Sequence, residues 1–108
     1  YKGNGSSYGR FVYLGFKPAL LIVKTYQNSD NWMMFDSTTN LENPAKQFLY
    51  PNLTNTMGNS TNNGIDFLSN GFRLRGNDGN TNASRDYLYC AWAEMPMGGK
   101  GLAPATAR

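Results

Sequence analysis

The chain has 108 residues and a mass of 12.0 kDa, one domain's worth, with 40% hydrophobic and 14% aromatic residues to fill a core. Ten basic against seven acidic residues leave a net charge of +3, and the basic residues are scattered, which excludes the dense basic stripe of a nucleic-acid binder. With no histidine and a single cysteine, histidine-based triads, histidine-ligated metals, thiolate clusters and internal disulfides are excluded within this chain.

Fourteen asparagines and twelve glycines cluster between short apolar runs. Both residue types supply the positive-φ positions of tight turns. The runs are rich in Val, Ile, Phe, Tyr and Trp, and no sustained helical repeat is present. This pattern predicts an all-β fold, a small antiparallel β-sandwich of lectin-like or jelly-roll-like form with long Asn/Gly-rich loops.

In chain order, strands are expected over 10–16, 19–26, 31–36, 65–69, 72–76 and 85–94. Pro18 lacks a backbone donor and marks a strand start. Lys24, at the end of an apolar run, belongs at a sheet rim or beside a carboxylate. One weak helix is expected over 41–50, with Pro44 in its first turn after Asn43. Asn70-Gly71 between two apolar runs predicts a type I′ hairpin. That register sets Phe67 against Leu74 and Asp66 against Arg75, with Ile65, Phe67, Phe72 and Leu74 on the apolar side. The segment 87–93 is apolar on both faces and reads as an interior strand, its second face covered by a neighbouring subunit. Cys90 within it reads as a small buried apolar residue.

No run of about 20 apolar residues is present to form a membrane-spanning helix. Carboxylates are few. Asp36 and Glu94 follow apolar strands and are the best candidates for glycosidase chemistry, yet nothing in their spacing pairs them, and a structural role is preferred, capping a turn or pairing with Lys24 or an arginine. The stretch 77–82 resembles a calcium loop only superficially and reads as a polar turn, so no metal and no other cofactor is expected. Carbohydrate recognition uses aromatic faces beside amides. Trp32, Tyr26, Tyr50, Tyr8 and Asn31 lie at or beside polar loops and are the candidate ligand contacts.

Four segments and two single residues together carry a family resemblance. They are Gly15-Phe16-Lys17-Pro18-Ala19 with its apolar run to Lys24, then Trp32 and Asp36, Ile65 to Arg75 around Phe67-Leu68-Ser69-Asn70-Gly71-Phe72, Tyr89-Cys90-Ala91-Trp92-Ala93-Glu94-Met95-Pro96, and the closing Pro104-Ala105-Thr106-Ala107-Arg108. The sequence resembles an uncharacterised β-rich domain at the C-terminal end of bacteriophage tail fibres and other virion proteins, often found beside concanavalin-like lectin modules. The resemblance implies a virion surface location, a homotrimer, and contact with other virion proteins and with host polysaccharide or lipopolysaccharide. It implies no catalytic residues. The chain starts at Tyr1 without a signal peptide and is expected to be one β-sandwich domain, 1–108, of a longer fibre protein, with 98–108 as an apolar tail. The expected role is receptor binding, the alternative a structural domain for assembly, trimerisation or decoration, and in neither case an enzyme.

Overall fold

The computed structural model describes residues 1–93. The eight strands are β1 (Phe11–Tyr13), β2 (Pro18–Thr25), β3 (Met33–Asp36), β4 (Gln47–Phe48), β5 (Gly58–Asn59), β6 (Ile65–Leu68), β7 (Gly71–Leu74) and β8 (Tyr87–Ala93). A 3-10 turn, Thr61–Asn63, precedes β6. The fold is all-β, as the composition predicts. One antiparallel sheet has the order β1-β7-β6, a second the order β3-β2-β8, and β4-β5 is a two-stranded ribbon. Expected and observed strand bounds differ by up to three residues, and the β4-β5 ribbon has no counterpart among the expected elements.

The two three-stranded sheets share one core. Leu21, Val23, Met33, Phe35 and Tyr87 come from one, Ile65, Phe67, Phe72 and Leu74 from the other, and Ala45 and Phe48 lie with them. Each sheet contributes alternate residues, since successive strand side chains point to opposite faces. Two segments change sheet. Ala45 bridges to Ile65 and Leu49 to Met34, so residues 45–49 run from the edge of one sheet to the edge of the other. At the opposite side Lys2 bridges to Asp86, and the chain continues through Gly9, which bonds Leu74, into β1. The sheets are therefore tied together along both margins.

The helix expected over 41–50 is absent. Its backbone groups go to strands instead: Ala45 exchanges both bonds with Ile65, and Leu49 exchanges both with Met34. Asn43, joined to Pro44 by a cis peptide, uses its side-chain amide as a strand would use its backbone. Its Nδ2 donates to the Phe67 carbonyl and its Oδ1 accepts from the Phe67 N–H, both at 2.8 Å. Tertiary pairing supplies more partners than an isolated ten-residue helix could, because short helices nucleate at a cost.

The hairpin forms one residue earlier than expected. Leu68 pairs with Gly71, so Ser69-Asn70 is the loop, and Phe67 faces Phe72 while Ile65 faces Leu74. The pairing moves by an even step, which leaves the predicted apolar side intact. Asp66 lies opposite Arg73, and Arg75 reaches it diagonally, Nη1 to Oδ2 at 2.8 Å. No non-glycine residue among those described has positive φ, and Gly71 is not one of the glycines that do. The reason is β1: the Asn70 carbonyl accepts from Leu14 and Gly15, which holds the turn against that strand.

Pro18 opens β2 as expected, with a register irregularity between Pro18 and Leu20. Lys24 sits at the rim, donating from Nζ to the carbonyls of Thr25 (2.6 Å) and Asn28 (3.2 Å). In β8 the expectation of burial on both faces is corrected for this chain. Tyr87 is buried, Tyr89 and Ala91 are half-buried, and Leu88, Cys90 and Trp92 are exposed. Cys90 is thus not a core residue: it has even parity in a strand whose odd positions face the core. Glu94 and the expected tail 98–108 lie outside the described residues.

The Tyr1 ring stacks on Tyr87 at 5.0 Å with the planes 9° apart, and its hydroxyl donates to the Thr81 carbonyl at 2.6 Å. Burial pushes the Tyr1 phenol well above its ordinary value, with Tyr87 adding to the rise, and burial raises Tyr87 as well. The neutral forms are favoured in the folded state, so their contribution is complete below about pH 10 and is lost as the pH climbs from there through the folded values. Alkaline titration followed by tyrosinate absorbance and circular dichroism should show these two phenols ionising together with unfolding. Smooth titration of all seven tyrosines near pH 10 with the fold intact would contradict this.

Candidate functional site

The loop after β2, the loop after β4 and the loop after β7 meet at one end of the β3-β2-β8 sheet. Their contact is a relay of amides. Asn52 Oδ1 accepts from the Trp32 N–H at 3.1 Å, and Asn52 Nδ2 donates to Asn31 Oδ1 at 3.1 Å. The Asn31 N–H donates to Asn80 Oδ1 at 2.9 Å. Asn80 in turn donates twice to Asp78 Oδ1, from its backbone N–H and from Nδ2, both at 2.8 Å. Arg85 holds the base of the loops, paired with Asp30 and bonded to the Gly79 carbonyl. Tyr87 donates its hydroxyl to the same carbonyl at 2.7 Å.

Trp32 is 36% exposed on this platform. Among the described residues no protein acceptor takes its indole N–H, and Asn31 Nδ2 is likewise without one. The site therefore offers an apolar ring face with two donors, the ring's own indole N–H and the Asn31 amide, held by the bonds to Asn52 and Asn80. Tyr50 joins through Asp78. Burial first, and the Asp78 carboxylate second, push its phenol above the ordinary value. Its ring also packs edge-on against Phe48 at 5.2 Å, so only part of it serves the surface.

Of the sequence-predicted contacts, the structure brings Asn31, Trp32 and Tyr50 into one neighbourhood. Tyr26, 63% exposed at the start of the same loop, has no hydrogen bond or ring contact with them among the described residues. Tyr8 lies elsewhere, under the Arg73 guanidinium at 5.0 Å. Asn52, Asn80 and Asp78 were missed. They come from positions 20 to 49 residues away, and no local pattern marks an amide whose partner is that distant.

Of the two structural roles expected for it, Asp36 takes turn capping, accepting from the Thr39 N–H at 2.7 Å and the Thr39 hydroxyl at 3.0 Å. Asp78 caps the polar turn predicted over 77–82. The loop 37–44 separates two open clefts of about 310 and 420 Å³, lined by Asn40, Leu41, Glu42 and Asn43 on both sides. Asn40 fixes this loop by four bonds, donating to the Asp36 and Gln47 carbonyls and accepting from the Lys46 and Gln47 N–H groups. The clefts are polar, and Phe67, in the larger, is the one aromatic ring in their linings. No predicted contact lines them.

What the fold and the loops define is a small all-β domain carrying an exposed aromatic ring and an unbonded amide donor, Asn31 Nδ2, on one loop end. The chain belongs to a family described as a domain of unknown function (DUF7483), which matches residues 1–96. No curated protein and no solved structure matches it.

Proposed function

We propose that this is a virion appendage domain of tail-fibre type that contacts host surface polysaccharide or lipopolysaccharide, with Trp32 as the stacking platform and Asn31 as the adjoining donor. The observation that carries the reading is the exposed indole beside amides already held in place by Asn52 and Asn80. Sugar rings present an apolar C–H face and equatorial hydroxyls, and a site of this kind addresses both with little ordering cost. Single contacts of this type are weak, and display on a trimer at the virion surface would multiply them. A structural role in assembly is the second reading, and the apolar outer face of the β3-β2-β8 sheet favours it.

The test is binding of the folded chain to a broad array of bacterial surface glycans, with denatured chain as control. Saturable, sugar-specific binding is expected. Trp32→Ala should weaken it about tenfold, near 1.4 kcal/mol, and leave the melting temperature nearly unchanged. A variant that binds as well as the parent would remove Trp32 from the site. No binding by folded chain would leave the assembly reading.

A further inference from the structure

Asp78 keeps an unengaged acceptor at the loop end that carries Trp32. Its backbone is held on both sides: the N–H donates to the Asn62 carbonyl at 3.1 Å, and the carbonyl accepts from the Thr81 and Asn82 N–H groups at 3.1 and 2.8 Å. Oδ1 takes both bonds from Asn80, whose own Oδ1 accepts from the Asn31 N–H. Two hydrogen-bond steps therefore link the carboxylate to the residue before Trp32. On its other side the carboxylate is close enough to the Tyr50 phenol to push it up. Asp78 is half-buried, and Oδ2 has no hydrogen-bond or ion-pair partner among the described residues.

The cations of this end are engaged elsewhere. Arg85 pairs with Asp30 and bonds the Gly79 carbonyl. Lys24 turns its ammonium onto the carbonyls of Thr25 and Asn28. Lys2 lies opposite Asp86 across an isolated bridge at the margin of β8. The chain carries +3 overall, yet the charge left without a counter-ion beside this site is negative.

We propose that Asp78 is a third ligand contact and that its carboxylate sets the class of saccharide taken: uncharged sugars, and most strongly sugars bearing a free amine, with uronate-, sialate- and phosphate-bearing glycans turned away. The inference rests on the reading of this loop end as a glycan site. A sugar hydroxyl both donates and accepts. Trp32 Nε1 and Asn31 Nδ2 donate to its lone pairs, and Asp78 Oδ2 accepts from a neighbouring hydroxyl or ammonium. Stacking on the indole is open to the C–H face of an acidic sugar and a neutral one alike. The carboxylate tells them apart, because a bond to it is about twice as strong as a neutral one and a like charge against it is repelled.

The test reads an array of bacterial surface glycans, grouped as uncharged, amine-bearing and acidic, with the parent, Trp32→Ala and Asp78→Asn chains. The amide keeps an Oδ1 for Asn80 and puts a donor in place of Oδ2. The parent should bind the first two groups and not the third. In Asp78→Asn the amine-bearing glycans should weaken about tenfold and acidic ones should begin to bind. Parent binding that depends on Trp32 but falls chiefly on acidic glycans, or shows no preference for the amine, would overturn the role of Asp78 and leave the glycan reading standing. An Asp78→Asn profile identical to the parent's would do the same. Binding to nothing on the array would remove both. Should the variant fail to fold, the parent decides alone: about 1 M salt should shrink its amine preference, and a preference unaltered by salt would reject the carboxylate as its source.

Discussion

Asn82→Leu is expected to cost about 3 kcal/mol, a large part of the 5–15 kcal/mol that holds such a domain together. Asn82 is fully buried. Its Nδ2 donates to the carbonyls of Ser6 and Gly76, both at 2.8 Å, and to Asn4 Oδ1 at 3.2 Å. Its Oδ1 accepts from the Asn4 N–H at 3.1 Å. Leucine keeps the branched skeleton of asparagine but is larger, so every one of these bonds is lost and the fully buried site is also overpacked. The Gly76 carbonyl is buried and has no route to water; Asn4 and Ser6 lie nearer the surface and recover part of their loss. The urea midpoint should fall by about 2 M. Asn82→Asp should be worse at neutral pH, because a carboxylate would face two carbonyl oxygens, and should recover in part in acid as it protonates. A midpoint shift below about 0.5 M for the leucine variant would mean that strand pairing alone holds residues 3–9.

Gly71→Ala is the second large effect, expected at about 2–4 kcal/mol. A Cβ at this position would stand 2.0 Å from the Val12 carbonyl oxygen and 3.0 Å from the Phe11 ring. The first obstacle is backbone in the neighbouring strand and cannot rotate away. The expected response is local. β1 should be displaced from β7, and the Leu14 and Gly15 amides, which bond the Asn70 carbonyl, should lose protection from hydrogen exchange. The β2-β8 ladder should keep most of its protection. Uniform loss across both sheets would show instead that β1 is integral to the cooperative core.

Glycine at 71 and the asparagines show what the sequence can and cannot disclose. Asn70-Gly71 reads as a turn by local preference, and a hairpin does form there. Its register is decided by β1, 58 residues upstream of Gly71 at Tyr13, and Gly71 is required for closeness and not for its dihedral freedom. The apolar side of the hairpin was legible because period-two alternation survives an even shift. The asparagines read as turn formers, yet none of the described ones adopts positive φ. They act as struts. Asn40, Asn43, Asn52 and Asn82 each both donate and accept through one side-chain amide, and so substitute for a strand's backbone where no strand is present. The same property explains the candidate site. Trp32 and Asn31 were visible as an aromatic and an amide in a polar loop, and their supports were not, because a strut's chemistry is local while its partner is distant. The two-sided apolar pattern of β8 was visible too, but pattern alone does not say whether the second side is covered, and among the described residues it is not.

The seven-residue pairing of β2 with β8 has a consequence during synthesis. β2 ends at Thr25 and its partner begins at Tyr87, so Leu21 and Val23 emerge from the ribosome long before the strand that completes their sheet. The N-terminal margin waits as well, since Tyr1 bonds Tyr87 across 86 positions. Nearly the whole chain must be made before the core can close, and until then an aggregation-prone strand with an open edge is held in the nascent polypeptide. Co-translational folding of this domain is therefore a late, nearly single event, and its yield should depend on how fast β8 is released.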